Sequence, residues 1–273
     1  MRKFLYSVLL FVFLPFYICL YSHDFSGELG EIKGTVEILK DGETEWSPAV
    51  SEMPVQLKDR LKAAENSSYN LELDDGSVIF IGENTEASVE MLELTKESHN
   101  SKISLWFGKI IANISKSKNT KMEVHSPTAI VAVRGTEFAV ESNAQKTDVG
   151  VFDGEVGVRN TEGETIEEVM VKPDEETSVQ KGTRPSPPSR LYLMQKYKER
   201  NARLRKRTQE LREQLKRLPP EKRVKARQRA YEKFRKLREK RIEQIKKNQQ
   251  KRRAIKREII KRKMHERNCP QRP

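Results

Sequence analysis

The chain has 273 residues, 36% hydrophobic and 34% charged, enough for one ordinary domain plus an extension or for two small domains. Its net charge of +13 conceals two unlike halves: 35 of the 53 Lys and Arg residues but only 9 of the 40 Asp and Glu residues lie from Arg184 onward, a net of +26 that leaves −13 for residues 1–183. Its two cysteines, Cys19 and Cys269, stand too far apart in character and position for an internal disulfide framework.

Arg2 and Lys3 precede an apolar run from Phe4 to Leu20, and polar sequence follows from Ser22, the order expected of a secretory leader. Pro15 interrupts the run and Ser22 is small enough to precede a cut, so residues 1–22 are expected to be a signal peptide that directs export to the periplasm or envelope. Two alternatives stay open. The run is close to the lower limit for a bilayer span, so residues 4–20 could instead anchor the chain in the inner membrane. A lipoprotein attached through Cys19 is the other, disfavoured by Phe16 and Ile18.

Residues 24–184 read as one β-domain of short apolar–polar alternations punctuated by turn residues. Ile32–Leu39 ends at Asp41-Gly42, and Tyr69–Leu73 runs through Asp74-Asp75-Gly76 into Val78–Ile81, a hairpin signal because glycine tolerates the positive φ the turn needs. About thirteen such runs without a helical pattern predict an all-β roll, sandwich or short β-solenoid. The solenoid option rests on one echo. Ala64-Glu65-Asn66-Ser67 leads to Leu71–Leu73, and 18 residues later Gly82-Glu83-Asn84-Thr85 leads to Val89–Met91.

Residues 185–189, with Pro185, Pro187 and Pro188, read as a stiff linker. Beyond it Leu204, Leu211 and Leu218 recur every seven residues with Leu215 between, the apolar line of a helix over 190–218. Pro219-Pro220 interrupts, and a second helix over 220–266 carries Val224, Tyr231, Phe234, Leu237, Ile242, Ile245, Ile255 and Ile259. The tail is thus expected to be an α-helical hairpin or coiled coil, stable when its helices pair and open to self-association.

Motifs for catalysis are missing. His23, His99, His125 and His265 fall at no metal-ligand spacing, and the chain contains no phosphate loop, nucleophile elbow or HExxH. Glu72, Glu90 and Glu137 occupy alternating positions and are expected on the solvent face of their strands. These readings imply no enzyme, cofactor, metal or small-molecule substrate. Gly34, Gly76 and Gly154 are read as turn or bulge positions, and Trp46 and Trp106 as core or half-buried.

Three stretches carry a resemblance. Asp59-Arg60-Leu61 leads through Asn66-Ser67 to Asp75-Gly76-Ser77 and Asn84; Gly108 leads to Ser126-Pro127-Thr128 and then Val133-Arg134-Gly135-Thr136-Glu137-Phe138; Phe152-Asp153-Gly154 follows. Together they resemble the FecR domain over residues 31–185, with Lys58 and Ala132 standing where that family has glycine. The resemblance implies an extracytoplasmic β-domain. The family's iron-dicitrate regulator engages a sigma factor through a cytoplasmic segment; the apolar run here begins at Phe4, so that role is not expected to carry over. Arg134 could grip an anion, but the preferred reading is structural: Gly135 turns the chain between two strands, Thr136 bonds back to backbone and Arg134 pairs with a carboxylate.

The expected function is that of a non-enzymatic envelope protein that binds or scaffolds. Its polycationic tail, with Lys251, Arg252, Arg253, Lys256 and Arg257 as the polyanion-binding cluster, would contact an anionic envelope surface or an acidic protein partner. A FecR-like signalling component acting through a partner is the alternative. Nucleic acid comes last, because Tyr192, Tyr197, Tyr231 and Phe234 follow the helix stripe and not a base-stacking pattern. The tail could also fold back on the acidic domain, but its stiff linker favours an external target.

Overall fold

The computed structural model describes residues 27–94, 99–116, 120–162 and 166–268; the leader, Cys19, His23 and Cys269 lie outside the described residues. Seventeen strands come first: β1 (Gly27–Lys33), β2 (Val36–Leu39), β3 (Ser47–Pro48), β4 (Pro54–Val55), β5 (Arg60–Ala63), β6 (Ser68–Leu73), β7 (Val78–Ile81), β8 (Thr85–Leu94) and β9 (His99–Asn113). They continue with β10 (Thr120–His125), β11 (Ala129–Val133), β12 (Glu137–Ser142), β13 (Lys146–Asp153), β14 (Val156–Asn160), β15 (Glu168–Val171), β16 (Glu175–Gln180) and β17 (Ser189–Arg190). A short 3-10 turn at Met194–Tyr197 leads into α1 (Lys198–Arg217), and α2 (Pro220–Asn268) follows.

The strands form two sheets packed face to face. Sheet I runs β4–β1–β6–β7–β9–β12–β13–β16–β17, antiparallel throughout, and uses the second half of β9. Sheet II runs β3–β2–β5–β8–β9–β10–β11–β14–β15 and uses the first half of β9; only its β9–β10 step is parallel. The inward side chains interleave in one core, with Leu29, Leu71, Ile79, Ile110, Phe138 and Val149 from sheet I meeting Ile38, Leu61, Val89, Leu105, Val124 and Val158 from sheet II.

The chain repeatedly crosses from one sheet to the other, and it does so at residues with positive φ: Gly34, Asn66, Asn84, Gly108, Gly135, Gly154 and Asp174. Such sharp corners need the left-handed region, which glycine enters freely and Asn or Asp at modest cost. Two corners interlock in the same way. The Thr35 N–H donates to Ser67 Oγ at 2.8 Å, and the Lys109 N–H donates to Thr85 Oγ1 at 3.0 Å. Both hydroxyls in turn donate to a carbonyl two residues back, Glu65 and Glu83 respectively, at 3.0 Å. A Cβ on Gly34 would lie 2.4 Å from Ser67 Oγ, and one on Gly108 would lie 2.2 Å from Thr85 Oγ1. The 18-residue echo is therefore a repeated sandwich corner, not a solenoid rung. Gly135 likewise carries the chain from sheet II into sheet I; β11 and β12 are not hydrogen-bonded partners.

The tail departs from a free-standing hairpin in where it places its apolar side chains. Residues 185–189 do not hold it away from the domain. Ser186 accepts from Thr177 Oγ1 through its carbonyl at 2.6 Å and from the Ser178 N–H through its hydroxyl at 3.0 Å, and β17 then pairs with β16. The chain is thereby laid over the outer face of sheet I. There Leu191, Met194, Leu204 and Leu211 form a second core with Val78, Phe80, Ile111 and Ala139, each fully buried large side chain contributing about 1.5–3 kcal/mol. This explains why all four residues of β7 are buried: sheet I is covered on both faces, as continuous apolar strands require. Lower down, Phe234 of α2 packs on the main core, whereas Leu218, Leu237, Ile255 and Ile259 are exposed.

The corners make a stability prediction. Lys58, with φ of 63°, holds a conformation that costs a non-glycine residue roughly 1 kcal/mol. Lys58→Gly should therefore stabilise the protein by about that amount. Gly135→Val would combine a φ of +62° with a Cβ 2.8 Å from the Lys116 backbone, and should destabilise by at least about 2 kcal/mol. Chemical denaturation of both variants checks the pair; equal stabilities would contradict the corner assignment.

Candidate functional site: the tail clasp and a cationic pocket

Strand alternation points Glu72 of β6 and Glu137 of β12 out of sheet I, but α1 lies over them, leaving them only 2% and 6% exposed. The solvent-face expectation thus fails for these two and holds for Glu90, which is exposed. Alternation tells which face a side chain takes, not whether that face is covered. Arg207 grips Glu72 with both arms of its fork, Nε to Oε1 at 2.8 Å and Nη2 to Oε2 at 2.7 Å. Arg205 donates to Glu137 at 2.6 Å through Nη2, joined by Asn201 Nδ2 at 2.7 Å and Asn113 Nδ2 at 3.1 Å. Hydrogen bonding to these carboxylates raises the pKa of both arginines. Glu176 of β16 accepts the backbone N–H groups of Tyr192, Leu193 and Met194 at 3.0, 3.1 and 3.0 Å, capping the start of the 3-10 turn with negative charge.

A second set of contacts fastens α2. Arg227 reaches Glu28 at 3.0 Å and Asp74 at 2.7 Å. Burial opposes its charge, but the two carboxylates outweigh that and leave its pKa raised. Arg238 pairs with Glu43. Beneath it Lys40 donates to Asp59 at 2.6 Å and to the Pro54 carbonyl at 2.8 Å, and lies 5.5 Å from the Tyr231 ring. The expected back-folding obstacle is thus overturned for the first part of the tail, whose arginines answer the domain's carboxylates.

The residues carrying the family resemblance do not converge on one point. Asp59 is fully buried and also accepts the Gln56 N–H at 2.7 Å. Arg60 lies on the outer face of sheet II, 4.4 Å from the ring of Trp106 and 5.7 Å from that of Trp46, and pairs with Glu86. Trp106 is thus an outer-face residue, 37% exposed, not a core one. Asp75, Gly76 and Ser77 form the expected turn, with Ser77 N–H and Oγ donating to Asp75 at 2.8 and 2.9 Å. Pro127 and Thr128 close the β10–β11 turn, where Thr128 Oγ1 meets Thr147 Oγ1 at 2.7 Å. Phe138 is core, and a Cβ on Gly154 would press on Thr136 at 2.6 Å.

Two details of the Arg134–Thr136 reading differ from expectation. The buried Thr136 hydroxyl has no hydrogen-bond partner among the described residues, and exposed Arg134 has no ion pair there, lining a cavity of about 660 Å³ with Lys121, Glu155 and Glu168. These positions are corners and turns of a scaffold. Among the described residues, no three His, Cys, Asp or Glu side chains gather to hold a metal. Of the distal tail cluster, Lys251 and Lys256 are exposed on α2; the side chains of Arg252, Arg253 and Arg257 lie outside the described residues.

Sequence reasoning missed one cavity altogether. About 400 Å³ opens where α1 begins, over the interlocked corners, and is lined by Lys33, Phe80, Lys109, Lys196, Arg200 and Arg203 among others. Lys109 pairs with Glu83 at 3.1 Å and Lys196 with Glu141 at 2.6 Å. Arg200 instead lies over Phe80, its Cζ 4.4 Å from the ring centre. Burial and the neighbouring Arg203 lower its pKa. The cavity draws its members from β1, β6, β7, β9, the 3-10 turn and α1, so no spacing in the sequence announces it.

The FecR protein family matches residues 59–157; the chain carries a FecR domain, spanning β5 to the start of β14. No curated protein matches the chain. Two crystal structures of a candidate anti-sigma factor from Parabacteroides distasonis are similar, at 19% and 18% identity and a TM-score of 0.39 each. The similarity covers 48% of this chain and 59% of that protein, so this chain spans less than two thirds of its length.

The clasp is testable through its asymmetry. Arg207→Ala leaves Glu72 buried without its cation and should cost about 3 kcal/mol. Replacing both partners by leucine should return most of that loss, because an apolar pair needs no charge compensation. Denaturant midpoints of the two variants decide it; a single variant as stable as the parent would show the fork to be peripheral.

Proposed function

We propose that this FecR-domain protein is a non-enzymatic component of the cell envelope, acting outside the cytoplasm, in which the first part of the tail clamps the β-domain and the distal half of α2 is a polycationic arm for anionic envelope surfaces. The basic start and apolar run of residues 2–20 support export. One observation carries the binding role: after the clasp, positive charge remains unspent. From Glu239 to Asn268 the chain has 13 basic and 4 acidic residues. Every described lysine and arginine side chain among them is exposed, and Arg241 is the last α2 residue lining a cavity shared with the β-domain. The helix beyond it extends for roughly 40 Å at 1.5 Å per residue, bearing exposed Ile255 and Ile259. Near an anionic surface each such cation contributes about 1 kcal/mol.

A second reading rests on the FecR-family match: a signalling component that relays an envelope event to an acidic protein partner through the same arm. Sedimentation with vesicles of phosphatidylcholine and phosphatidylglycerol separates the two. The full chain should bind, a chain ending at Arg241 should not, and neutralising Lys251, Arg252, Arg253, Lys256 and Arg257 should weaken binding by about tenfold or more at low salt but little at high salt. Failure of the full chain to bind at low salt would remove the membrane reading and leave the protein-partner one.

A further inference from the structure

Several arginines of α1 and α2 turn toward the β-domain, and Arg212 among them donates to the Gly76 carbonyl. Arg205, Arg207, Arg227 and Arg238 each meet a carboxylate, and for buried Arg227 the pairing offsets desolvation. Arg200 and Arg203 share the side of α1 that bears Arg207, since positions three and four apart are neighbours on a helix. Yet neither has an ion pair among the described residues, and nor does Lys33 facing them across the cavity, although Arg200 is half-buried against Phe80. Glu31 lies close enough to act on Arg200, and Glu83 and Glu199 line the cavity, but Glu83 is already held by Lys109 and by the Asn66 N–H at 2.9 Å.

We infer that this cavity is a binding site for a phosphorylated sugar, with Arg200, Arg203 and Lys33 on the phosphate. A phosphate suits the set because two planar forks and one point charge converge, matching a compact multivalent anion better than a single carboxylate. Its place over Phe80, 4.4 Å from the ring centre, holds the Arg200 guanidinium at the cavity. The cavity lining also includes Asn66, Ser68 and Glu199, polar groups able to bond hydroxyl groups. The volume of about 400 Å³ is in the range of small-molecule pockets and exceeds what a bare phosphate fills. The phosphate source is either a free sugar phosphate or the phosphorylated sugar head of an envelope glycolipid. The site is separate from the distal arm of α2.

Calorimetry on the full chain at low salt tests it, with glucose 1-phosphate, inorganic phosphate and glucose as probes and, in a parallel arm, vesicles of phosphatidylcholine containing lipid A. Glucose 1-phosphate should bind, inorganic phosphate more weakly and glucose not at all. Lys33→Gln and Arg203→Gln, both at exposed positions that leave the fold intact, should each weaken binding about tenfold, the loss of one charge-assisted bond. Arg200→Lys, which keeps the charge but loses the fork, should weaken it as well. Lys251→Gln with Lys256→Gln should leave it unchanged, separating this site from the arm. Vesicle binding that falls with the pocket substitutions, without binding of free glucose 1-phosphate, would assign the sugar phosphate to a lipid. Equal binding of inorganic phosphate and glucose 1-phosphate would overturn the sugar subsite. Binding indifferent to Lys33, Arg200 and Arg203, or absent for every probe, would overturn the proposal.

Discussion

Glu72 and Glu137 lie on the outer face of sheet I, and what Arg207 and Arg205 do for them fixes the rest of the tail. The order β6–β7–β9–β12 sets the two carboxylates on either side of a central strip made by β7 and β9. Two residues along a helix turn by about 200°, so Arg205 and Arg207 leave α1 on opposite sides. One reaches β12 and the other β6, while Leu204, Thr208 and Leu211 face down between them and are buried. The apolar strip supplies the free energy of docking. The two forks set where along the strip the helix sits and which way it runs, because a shifted or reversed helix would leave both carboxylates buried and unpaired, at several kcal/mol each.

The same arrangement divides the positive charge of the tail. Arg205 and Arg207 of α1 and Arg227 and Arg238 of the first half of α2 pair with carboxylates of the β-domain, and at Arg227 burial removes water as an alternative partner. The described lysine side chains beyond Arg241 are exposed and remain solvated. An overall net charge therefore misdescribes this tail, just as it misdescribes the whole chain. Its first part is an internal component of the fold, and its remainder is what an external polyanion would meet.

Much of the fold was legible because local rules suffice for it. The alternation of the strands, the Asp75-Gly76-Ser77 turn and the helix start at Pro220 all follow from backbone preferences and side-chain period. Even the family-typical glycine positions have a local account: Lys58 takes the positive φ that glycine would take freely. The repeated Asn-Ser and Asn-Thr segments were visible too, though their meaning as sandwich corners needed the partner strands carrying Gly34 and Gly108.

The sequence by itself determined which residues alternate, where the chain can turn and where the charge lies, since each of these depends on a few neighbouring residues. Only the tertiary structure decided which face of sheet I is covered. The run Val78-Ile79-Phe80-Ile81, apolar without alternation, is a sequence signal that both faces are buried, but it does not say by what. Glu72 and Arg207 stand 135 residues apart, and Lys33 of β1 and Arg200 of α1 line one cavity only because α1 is laid over sheet I. Pairings over such distances are set by how two sheets and a helix pack, a property of the whole fold that no local pattern of residues encodes.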